Sequence, residues 1–260
     1  MVADTLSLEG QVAIVTGSGR ENGIGAGIAT ALSRNGARVV INYVSESSTA
    51  RAEALAQSLR DQGGKVALIR SSVDTPEGAK FIVKETLAAF GVDHIDILVN
   101  NAGVGYAGGV LGATPEQIDH TLNTNIKGTI YMCQAAVPHM VSGGRIINVS
   151  SSSTKRAHPS ISIYAGSKAA IDVMTWAMAS ELGRSRGITV NAIGPGPVAT
   201  DIVPPELVDE VMGPELADTR AADRYGTIED MGDAVLLLVS EKARWISGQY
   251  IGVSGGLTGL

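Results

Sequence analysis

The sequence has a single cysteine, two phenylalanines and two tryptophans in 260 residues. The lone thiol of Cys133 excludes an internal disulfide and offers no cysteine cluster to a metal, so we expect a small buried helix residue. The four histidines show no ligand spacing and stand at His94, His120, His139 and His158. No metal site is therefore expected.

Basic charge and long apolar runs are also scarce. Twenty lysines and arginines face 26 aspartates and glutamates, which gives a net charge of −6, and no basic patch is visible. We therefore expect neither nucleic acid nor an anionic membrane as a partner. No run approaches the roughly 18 apolar residues of a membrane span, and the N-terminal segment, which carries Asp4 and Glu9, lacks the apolar core of a signal peptide. We expect a cytoplasmic enzyme.

What the sequence does contain is an alternation of short apolar runs with longer helical patterns. The runs predict seven β-strands, at residues 12–15, 38–41, 66–69, 95–99, 145–149, 188–192 and 250–253. Most are continuously apolar, as in strands covered on both faces. No linker-like break divides residues 1–260, which favours one domain. These features predict an α/β fold with a doubly wound, parallel, seven-stranded sheet, the Rossmann fold.

The first predicted strand runs into a glycine-rich turn, residues 16–25, which opens a helix predicted over residues 26–35. Glycines at such a turn let backbone N–H groups approach a pyrophosphate, and the helix N-terminus supplies a favourable dipole. A tight turn alone would also explain the glycines. Their position directly after the first strand favours a dinucleotide site.

The cofactor's ribose is usually read at the end of the second strand, where a carboxylate would bond the 2′-hydroxyl of NAD. Here Ile41 is followed by Asn42, Tyr43 and, two positions later, Ser45, with no acid among them. Arg20 in the glycine loop could pair with a 2′-phosphate. We therefore expect NADP(H) rather than NAD(H). The alternative is that Arg20 is only an exposed loop residue.

Tyr164 and Lys168 stand four residues apart in a helix predicted over residues 162–186, which places them on one face. A phenol has a pKa near ~10, and a neighbouring cation favours the phenolate and lowers that pKa. The tyrosine would then be a usable acid or base. Taken alone, the same spacing is typical of a solvated helix face.

Further polar residues interrupt or follow the predicted elements. Residues 100–103 close the fourth strand and serines 150–153 the fifth, at the edge where open α/β sheets bind ligands, although plain turns would also explain them. A helix predicted from Pro115 to about residue 141 is interrupted near Asn125 and Gly128. An unwound turn at Asn125 could bind a water that connects Lys168 to solvent.

In this order, the motifs resemble the short-chain dehydrogenase/reductase family over residues 12–256. The matching motifs are Thr16-Gly17 with Gly23-Ile24-Gly25, Asn100-Asn101-Ala102-Gly103, Asn125, Ser151, Tyr164 with Lys168, and Pro195-Gly196 followed by Thr200. The resemblance implies that Tyr164 is the general acid/base and that Ser151, thirteen residues earlier, bonds the substrate oxygen. It implies that Lys168 binds the nicotinamide ribose and lowers the tyrosine pKa, and that Asn125 holds the relay water.

The resemblance also implies a set of cofactor contacts. Pro195, Gly196, Val198 and Thr200 would orient the nicotinamide carboxamide. The full set comprises Gly17, Ser18, Arg20, Gly23, Ile24, Gly25, Asn42, Tyr43, Ser45, Ser72, Val73, Asn101, Ala102, Gly103, Tyr164, Lys168, Pro195, Gly196, Val198 and Thr200.

Three features depart from the family pattern. Five residues, 18–22, separate Thr-Gly from Gly-Ile-Gly where most members have three. Enoyl-thioester reductases of the superfamily have a loop of similar length, but they place six residues, not three, between the active tyrosine and lysine. Ser72 stands where an aspartate near the adenine is common, and Ser254 replaces a frequent aspartate before two C-terminal glycines.

Within the family, the chain looks most like β-ketoacyl-thioester reductases and the fungal reductases of polyketides and polyhydroxynaphthalenes. Residues 201–225 should form a substrate lid. This segment has no aromatic residue before Tyr225, which favours an aliphatic or mixed substrate. Apolar faces on the helices at residues 117–140 and 162–186 predict a homodimer, and the resemblance implies its doubling to a homotetramer.

The resulting expectation is an NADPH-dependent carbonyl reductase, with Tyr164 as the proton donor to a small-molecule ketone. One alternative is an NAD-dependent dehydrogenase of a sugar, polyol or steroid alcohol, which the missing acid after Ile41 disfavours. Another is a non-catalytic, NADP(H)-sensing binding protein, which the intact catalytic motif disfavours.

Overall fold

Continuously apolar strands build the centre of the fold. The computed structural model describes residues 5–156, 158–201 and 208–259. Its sheet contains β1 (Val12–Val15), β2 (Arg38–Tyr43), β3 (Lys65–Arg70), β4 (Ile95–Asn100), β5 (Met140–Val149), β6 (Thr189–Pro195) and β7 (Tyr250–Val253). The spatial order is β3-β2-β1-β4-β5-β6-β7, and every neighbouring pair is parallel. The predicted doubly wound Rossmann sheet is confirmed.

Helices cover both faces of this sheet. They are α1 (Ile24–Arg34), α2 (Thr49–Asp61), α3 (Pro76–Phe90), α4 (Gly109–Gly112), α5 (Pro115–Leu122), α6 (Gly128–Ala136), α7 (Ser162–Arg186), α8 (Val208–Leu216) and α9 (Ile228–Val239). Helices α1, α2 and α9 pack on one face, and α3, α6 and α7 pack on the other. Among the described residues, no helix is long and apolar enough to cross a membrane.

The strand β1 shows why the runs are apolar without alternation. Ala13 and Val15 belong to the core on the side of α1 and α9, whereas Ile14 belongs to the core on the side of α3 and α6. Successive side chains of a strand point to opposite faces, and both faces are dry here. On the first face, α1 approaches α9 closely because Gly27 has no side chain. A Cβ there would overlap the backbone of Ile228.

Two predicted boundaries on either side of α6 had different outcomes. The interruption near Asn125 is confirmed as a π-helical turn, Asn123–Lys127, between α5 and α6. The predicted helical extension to residue 141 is wrong. Helical structure ends in a 3₁₀ turn, Val137–His139, which contains Pro138, and proline cannot continue a helix. β5 begins at Met140, earlier than predicted, because residues 141–144 form a bulge against β4.

Candidate active site

The site lies where the strand order reverses between β1 and β4. Loops that leave the carboxyl ends of diverging parallel strands open a cleft at such a point. Segments after β1, β4, β5 and β6 meet there, and they carry the motifs recognised in the sequence.

The glycine loop after β1 is tied to the loop after β4. Thr16 Oγ1 accepts hydrogen bonds from the backbone N–H groups of Asn101 and Ala102, both at 3.0 Å. Asn101 Nδ2 donates to Thr16 O at 2.8 Å and Gly17 O at 3.1 Å. Gly17 has a φ of 63° and lies against Ala102, whose Cα would stand 2.8 Å from a Cβ on the glycine. Glycine is therefore required at position 17, where the loop packs directly against the segment after β4.

Two residues predicted to contact the cofactor face inward instead. Ser18 Oγ donates to Val15 O at 2.7 Å and accepts from Asn42 N at 3.2 Å. The Asn42 side chain accepts from Gly17 N at 3.2 Å and donates to Ile69 O at 3.1 Å. Because both residues are buried, their side chains hold the loop in place, and their predicted contact with the cofactor stays a prediction.

The predicted ribose contacts Tyr43 and Ser45 lie at and just after the end of β2. Tyr43 packs against the loop at Gly19, where a Cβ would lie 2.6 Å from the tyrosine Cβ. Arg20 is exposed and forms no ion pair within 4 Å among the described residues, although its charge contributes, after Arg51, to the lowered pKa of Asp201. No carboxylate follows Tyr43 at residues 44 and 45. On the adenine side, Ser72 is partly buried and Val73 is buried against Gly128.

The extended glycine loop forms contacts that the sequence did not predict. Arg51 of α2 donates from Nε to Glu21 Oε2 at 2.6 Å, and its other nitrogen pairs with Asp201. Asn22 also donates to Asp201, and the pKa of that carboxyl is lowered mainly by Arg51. The two additional loop residues thus connect α2 to the segment after β6. Arg51 and Asp201 lie 150 positions apart, so no local pattern could have linked them.

Lys168 is buried in the centre of the site. The whole residue is 4% exposed, and its Nζ donates a hydrogen bond to Val149 O at 2.8 Å. Gly103 makes room for it, because a Cβ there would lie 3.1 Å from Lys168 Nζ and 3.3 Å from Asn125 Oδ1. Burial lowers the pKa of Lys168 to about 8, and the charge of Asp172 opposes that shift.

Asn125 holds the π-helical turn against its neighbours. Its Oδ1 accepts from Val104 N at 2.8 Å, and its Nδ2 donates to Val104 O and Ser167 Oγ, both at 2.9 Å. The carbonyl oxygen accepts from Thr129 Oγ1 at 3.0 Å. Asn125 therefore ties the loop after β4 to α7, close to Lys168.

Tyr164 and Ser151 lie near each other. The Ser151 side chain interacts with the Tyr164 phenol and favours a lower pKa, and Ser151 Oγ accepts a hydrogen bond from Ser153 Oγ at 2.9 Å. The tyrosine ring packs against Gly105, where a Cβ would lie 2.8 Å from Cδ2. Lys168 Nζ is 5.8 Å from the centre of the Tyr164 ring.

The pKa of Tyr164 differs from the expectation. Burial raises it, and the Ser151 hydrogen bond opposes that effect to a smaller extent. The predicted lowering by Lys168 is wrong for this structure, because desolvation of the phenolate outweighs the interactions that favour it. Tyr164 is therefore a protonated phenol at neutral pH.

The segment after β6 forms the other wall of the cleft. Gly196 N donates to Val253 O at 3.1 Å, and a Cβ on Gly196 would lie 2.8 Å from Ser254 Cα. Val198 is buried and forms a β-bridge with Gly226. Pro195 is buried and Thr200 partly buried. Ser254, which stands where the family frequently has an aspartate, accepts a hydrogen bond from Thr258 N at 3.4 Å.

The segment predicted as a lid is described in part, since residues 202–207 lie outside the described residues. Helix α8 and the turn after it contact the loop after β5 through one ion pair and one contact between a histidine and a carboxylate. Arg156 Nη2 lies 2.8 Å from Asp218 Oδ2, and His158 Nε2 lies 3.9 Å from Glu215 Oε1.

Comparisons with known proteins agree with this geometry. A family model described as enoyl-(acyl carrier protein) reductase matches residues 17–258. Versicolorin reductase 1 from Aspergillus parasiticus is 38% identical over 98% of this chain and 99% of its own length. A short-chain dehydrogenase/reductase from a Cladobotryum species is 37% identical over 96% of this chain and 97% of its own.

A solved structure with the same fold contains a bound nucleotide. The blue fluorescent protein from a metagenomic library, in complex with NADPH, superposes with a TM-score of 0.89 at 35% identity, over 97% of this chain and all of that one. The motifs, the sheet order and these relatives lead to one conclusion. The chain belongs to the short-chain dehydrogenase/reductase family of NAD(P)-dependent oxidoreductases.

Proposed function

We propose that this protein is an NADPH-dependent carbonyl reductase with Tyr164 as its general acid. The observation that carries the proposal is the convergence of Tyr164, Ser151 and Lys168 at the loop after β4, where Gly103 and Gly105 make room for the lysine and for the tyrosine ring. The N-terminus of α1, whose N-cap Gly23 carries no side-chain cap, and the exposed guanidinium of Arg20 fit a phosphorylated dinucleotide. When bound, the nicotinamide supplies a hydride to the substrate carbonyl carbon.

The residues of the chain handle the oxygen of the substrate. Ser151 donates a hydrogen bond to the carbonyl oxygen and fixes its position next to the Tyr164 hydroxyl. As the carbon is reduced, negative charge grows on that oxygen, and Tyr164 transfers its proton to it. Burial raises the pKa of Tyr164, so the phenol holds its proton at neutral pH, and rapid transfer needs a neighbouring cation that lowers this pKa. The ammonium of Lys168 favours the phenolate that remains.

The test of this assignment is Tyr164→Phe. We expect turnover with NADPH and a ketone to fall at least about 10²-fold, while NADPH affinity stays unchanged. Tyr131→Phe is a matched control, because Tyr131 packs in the core between α3, α6 and the sheet. Retained turnover in Tyr164→Phe would eliminate the proposed acid. Tight NADPH binding by the natural protein, without turnover of any ketone, would favour the sensing protein instead.

The cofactor preference follows from the ribose end of the cleft. Arg20 forms no ion pair within 4 Å in the described chain, and no acid stands at residues 42–45, where a carboxylate would bind the 2′-hydroxyl of NAD. We expect Arg20→Ala to lower kcat/KM for NADPH about tenfold or more and to leave the value for NADH nearly unchanged. Arg20→Lys keeps the charge and should recover part of the loss. Higher efficiency with NADH in the natural protein would favour the alcohol dehydrogenase alternative.

We propose a ketone of polyketide type as substrate, reached beneath the segment at residues 201–225. The name of versicolorin reductase supports this class. Residues 201–224 contain no aromatic side chain, which favours a substrate held without ring stacking. A panel that compares a 3-ketoacyl thioester with a bicyclic aromatic ketone, both at saturating NADPH, would separate the aliphatic from the aromatic option.

We also propose a homodimer, doubled to a homotetramer, through the outer faces of α5, α6 and α7. Val173 and Trp176 on α7 are 65% and 68% exposed, and large apolar side chains so placed favour burial in a partner. Sedimentation at micromolar concentration should detect the oligomer, and Val173→Glu should weaken it. A stable monomer would defeat this proposal.

A further inference from the structure

A largely buried carboxylate stands one helical turn beyond Lys168, behind the proposed catalytic residues. Asp172 follows Lys168 by one turn of α7, and its side chain is 12% exposed. Ser150 Oγ donates to Asp172 Oδ1 at 2.5 Å. Lys155 Nζ lies 3.3 Å from Asp172 Oδ2, although no aligned hydrogen bond reaches that oxygen. An ionised carboxylate at such a site is costly unless cations compensate it.

The contacts of Asp172 reach Ser151 from two directions. Ser150, which binds Asp172, directly precedes Ser151 in the chain and also donates to Lys168 O at 3.3 Å. On the other side, Lys155 Nζ lies 4.5 Å from the centre of the Tyr250 ring, and the Tyr250 hydroxyl donates to Ser151 O at 3.2 Å. Asp172 thus acts on both sides of Ser151. It binds the side chain of the preceding residue, Ser150, and through Lys155 and Tyr250 it helps to hold the backbone carbonyl of Ser151.

The same carboxylate acts on Lys168. Burial alone would drive the ammonium towards its neutral form, and Asp172 is the charge that raises the pKa of Lys168 against that effect. The other titratable groups that face Asp172 are Lys155 and Tyr250, and the carboxylate raises the pKa of the Tyr250 phenol. On the far side of Lys168, the neighbouring titratable group is Tyr164.

We propose that Asp172 is a positioning residue of the reductase site, which keeps Lys168 charged and holds the segment from Ser150 to Lys155 so that Ser151 meets Tyr164. The inference rests on the proposed function. Asp172 itself contacts neither substrate nor cofactor, and it acts through Lys168 and Ser151.

Asp172→Asn tests the proposal, because asparagine keeps the size and one acceptor oxygen but removes the charge. In the natural protein, NADPH affinity and kcat/KM should both fall as pH rises through the pKa of Lys168, about 8. In Asp172→Asn, both losses should occur about one pH unit lower, and kcat near pH 7 should fall about tenfold or more. Asp119→Asn, at an exposed position of α5, is the matched control.

Lys155→Met separates the two roles. It leaves Asp172 charged but removes the cation above Tyr250, so kcat should fall without any downward movement of the pH dependence of NADPH binding. If Asp172→Asn does not fold, as judged by circular dichroism, Asp172→Glu should fold and should keep the natural pH dependence of NADPH binding.

The inference is overturned if Asp172→Asn binds NADPH and turns over with the pH dependence of the natural protein, or if Asp172→Glu moves that dependence as asparagine should. The NADPH-binding profile needs no turnover. A failure of the reductase assignment, shown by turnover in Tyr164→Phe, would therefore be recognised separately.

Discussion

Replacement of Lys168 by methionine should stabilise the protein while it abolishes the proposed activity. Lys168 is 4% exposed, and burial lowers its pKa from 10.5 to about 8. At about 1.4 kcal/mol per pH unit, this displacement costs the folded state about 3 kcal/mol at pH 7. Methionine has a similar length and no charge, so it removes that cost and fills the same space.

Part of the gain is lost with the contacts of the ammonium. Lys168 Nζ donates to Val149 O at 2.8 Å, and a buried hydrogen bond of this kind contributes about 1 kcal/mol. The attraction between Lys168 and Asp172 already contributes to the pKa of Lys168, so its loss is not counted a second time. The net stabilisation of Lys168→Met at pH 7 should therefore be about 1–2 kcal/mol.

The reasoning also predicts the direction in which the free energy of unfolding changes with pH. Between pH 8 and 10.5 the unfolded chain binds more protons at this lysine than the folded chain does, so the natural protein gains stability as pH rises through this window. The methionine variant does not gain, so its advantage should vanish at about pH 10 and then reverse, because the loss of the hydrogen bond to Val149 O remains. Urea unfolding at pH 7 and pH 10, followed by circular dichroism, measures the difference.

Lys80→Met, at an exposed position of α3, is the control and should leave the free energy of unfolding nearly unchanged at both pH values. The reasoning is refuted if Lys168→Met is less stable than the natural protein at pH 7, or if its advantage is the same at pH 7 and pH 10.

Three further outcomes follow from the contacts described. Burial raises the pKa of Cys133 to about 12, so the thiol should resist a disulfide reagent at pH 8 until urea unfolds the chain; rapid native labelling would contradict its burial. Glu241→Gln removes the partner at 3.2 Å from buried Arg145 and should lower the free energy of unfolding by about 1–2 kcal/mol, a loss that urea titration would detect. Gly105→Ala forces its Cβ against the Tyr164 ring and should lower kcat about tenfold with NADPH affinity unchanged; an unaltered kcat would show that the ring position is not critical.

Local pattern determined the sheet and the main helix of the site. The bounds of β1, β7 and α7 agree with those predicted, because apolar runs and turn residues encode them within a few positions. Tyr164 and Lys168 share a helix face because their spacing of four residues is local, and the glycine content of residues 16–25 identifies the loop. The family followed from the order of these motifs. Where a boundary depended on pairing with a distant strand, as in the bulge at the start of β5, the sequence pattern was insufficient.

Burial and distant contacts were decided only by the tertiary structure. Ser18 and Asn42 turn inward because the ends of β2 and β3 offer them partners. Burial raises the pKa of Tyr164, although Lys168 lies on the same face of α7, since desolvation depends on every atom around the phenol. Asp172 stands at helical spacing from Lys168, which was a readable signal. Its link to Ser151 through Lys155 and Tyr250 joins three separate elements, and no spacing within a chain can encode a contact that only folding creates.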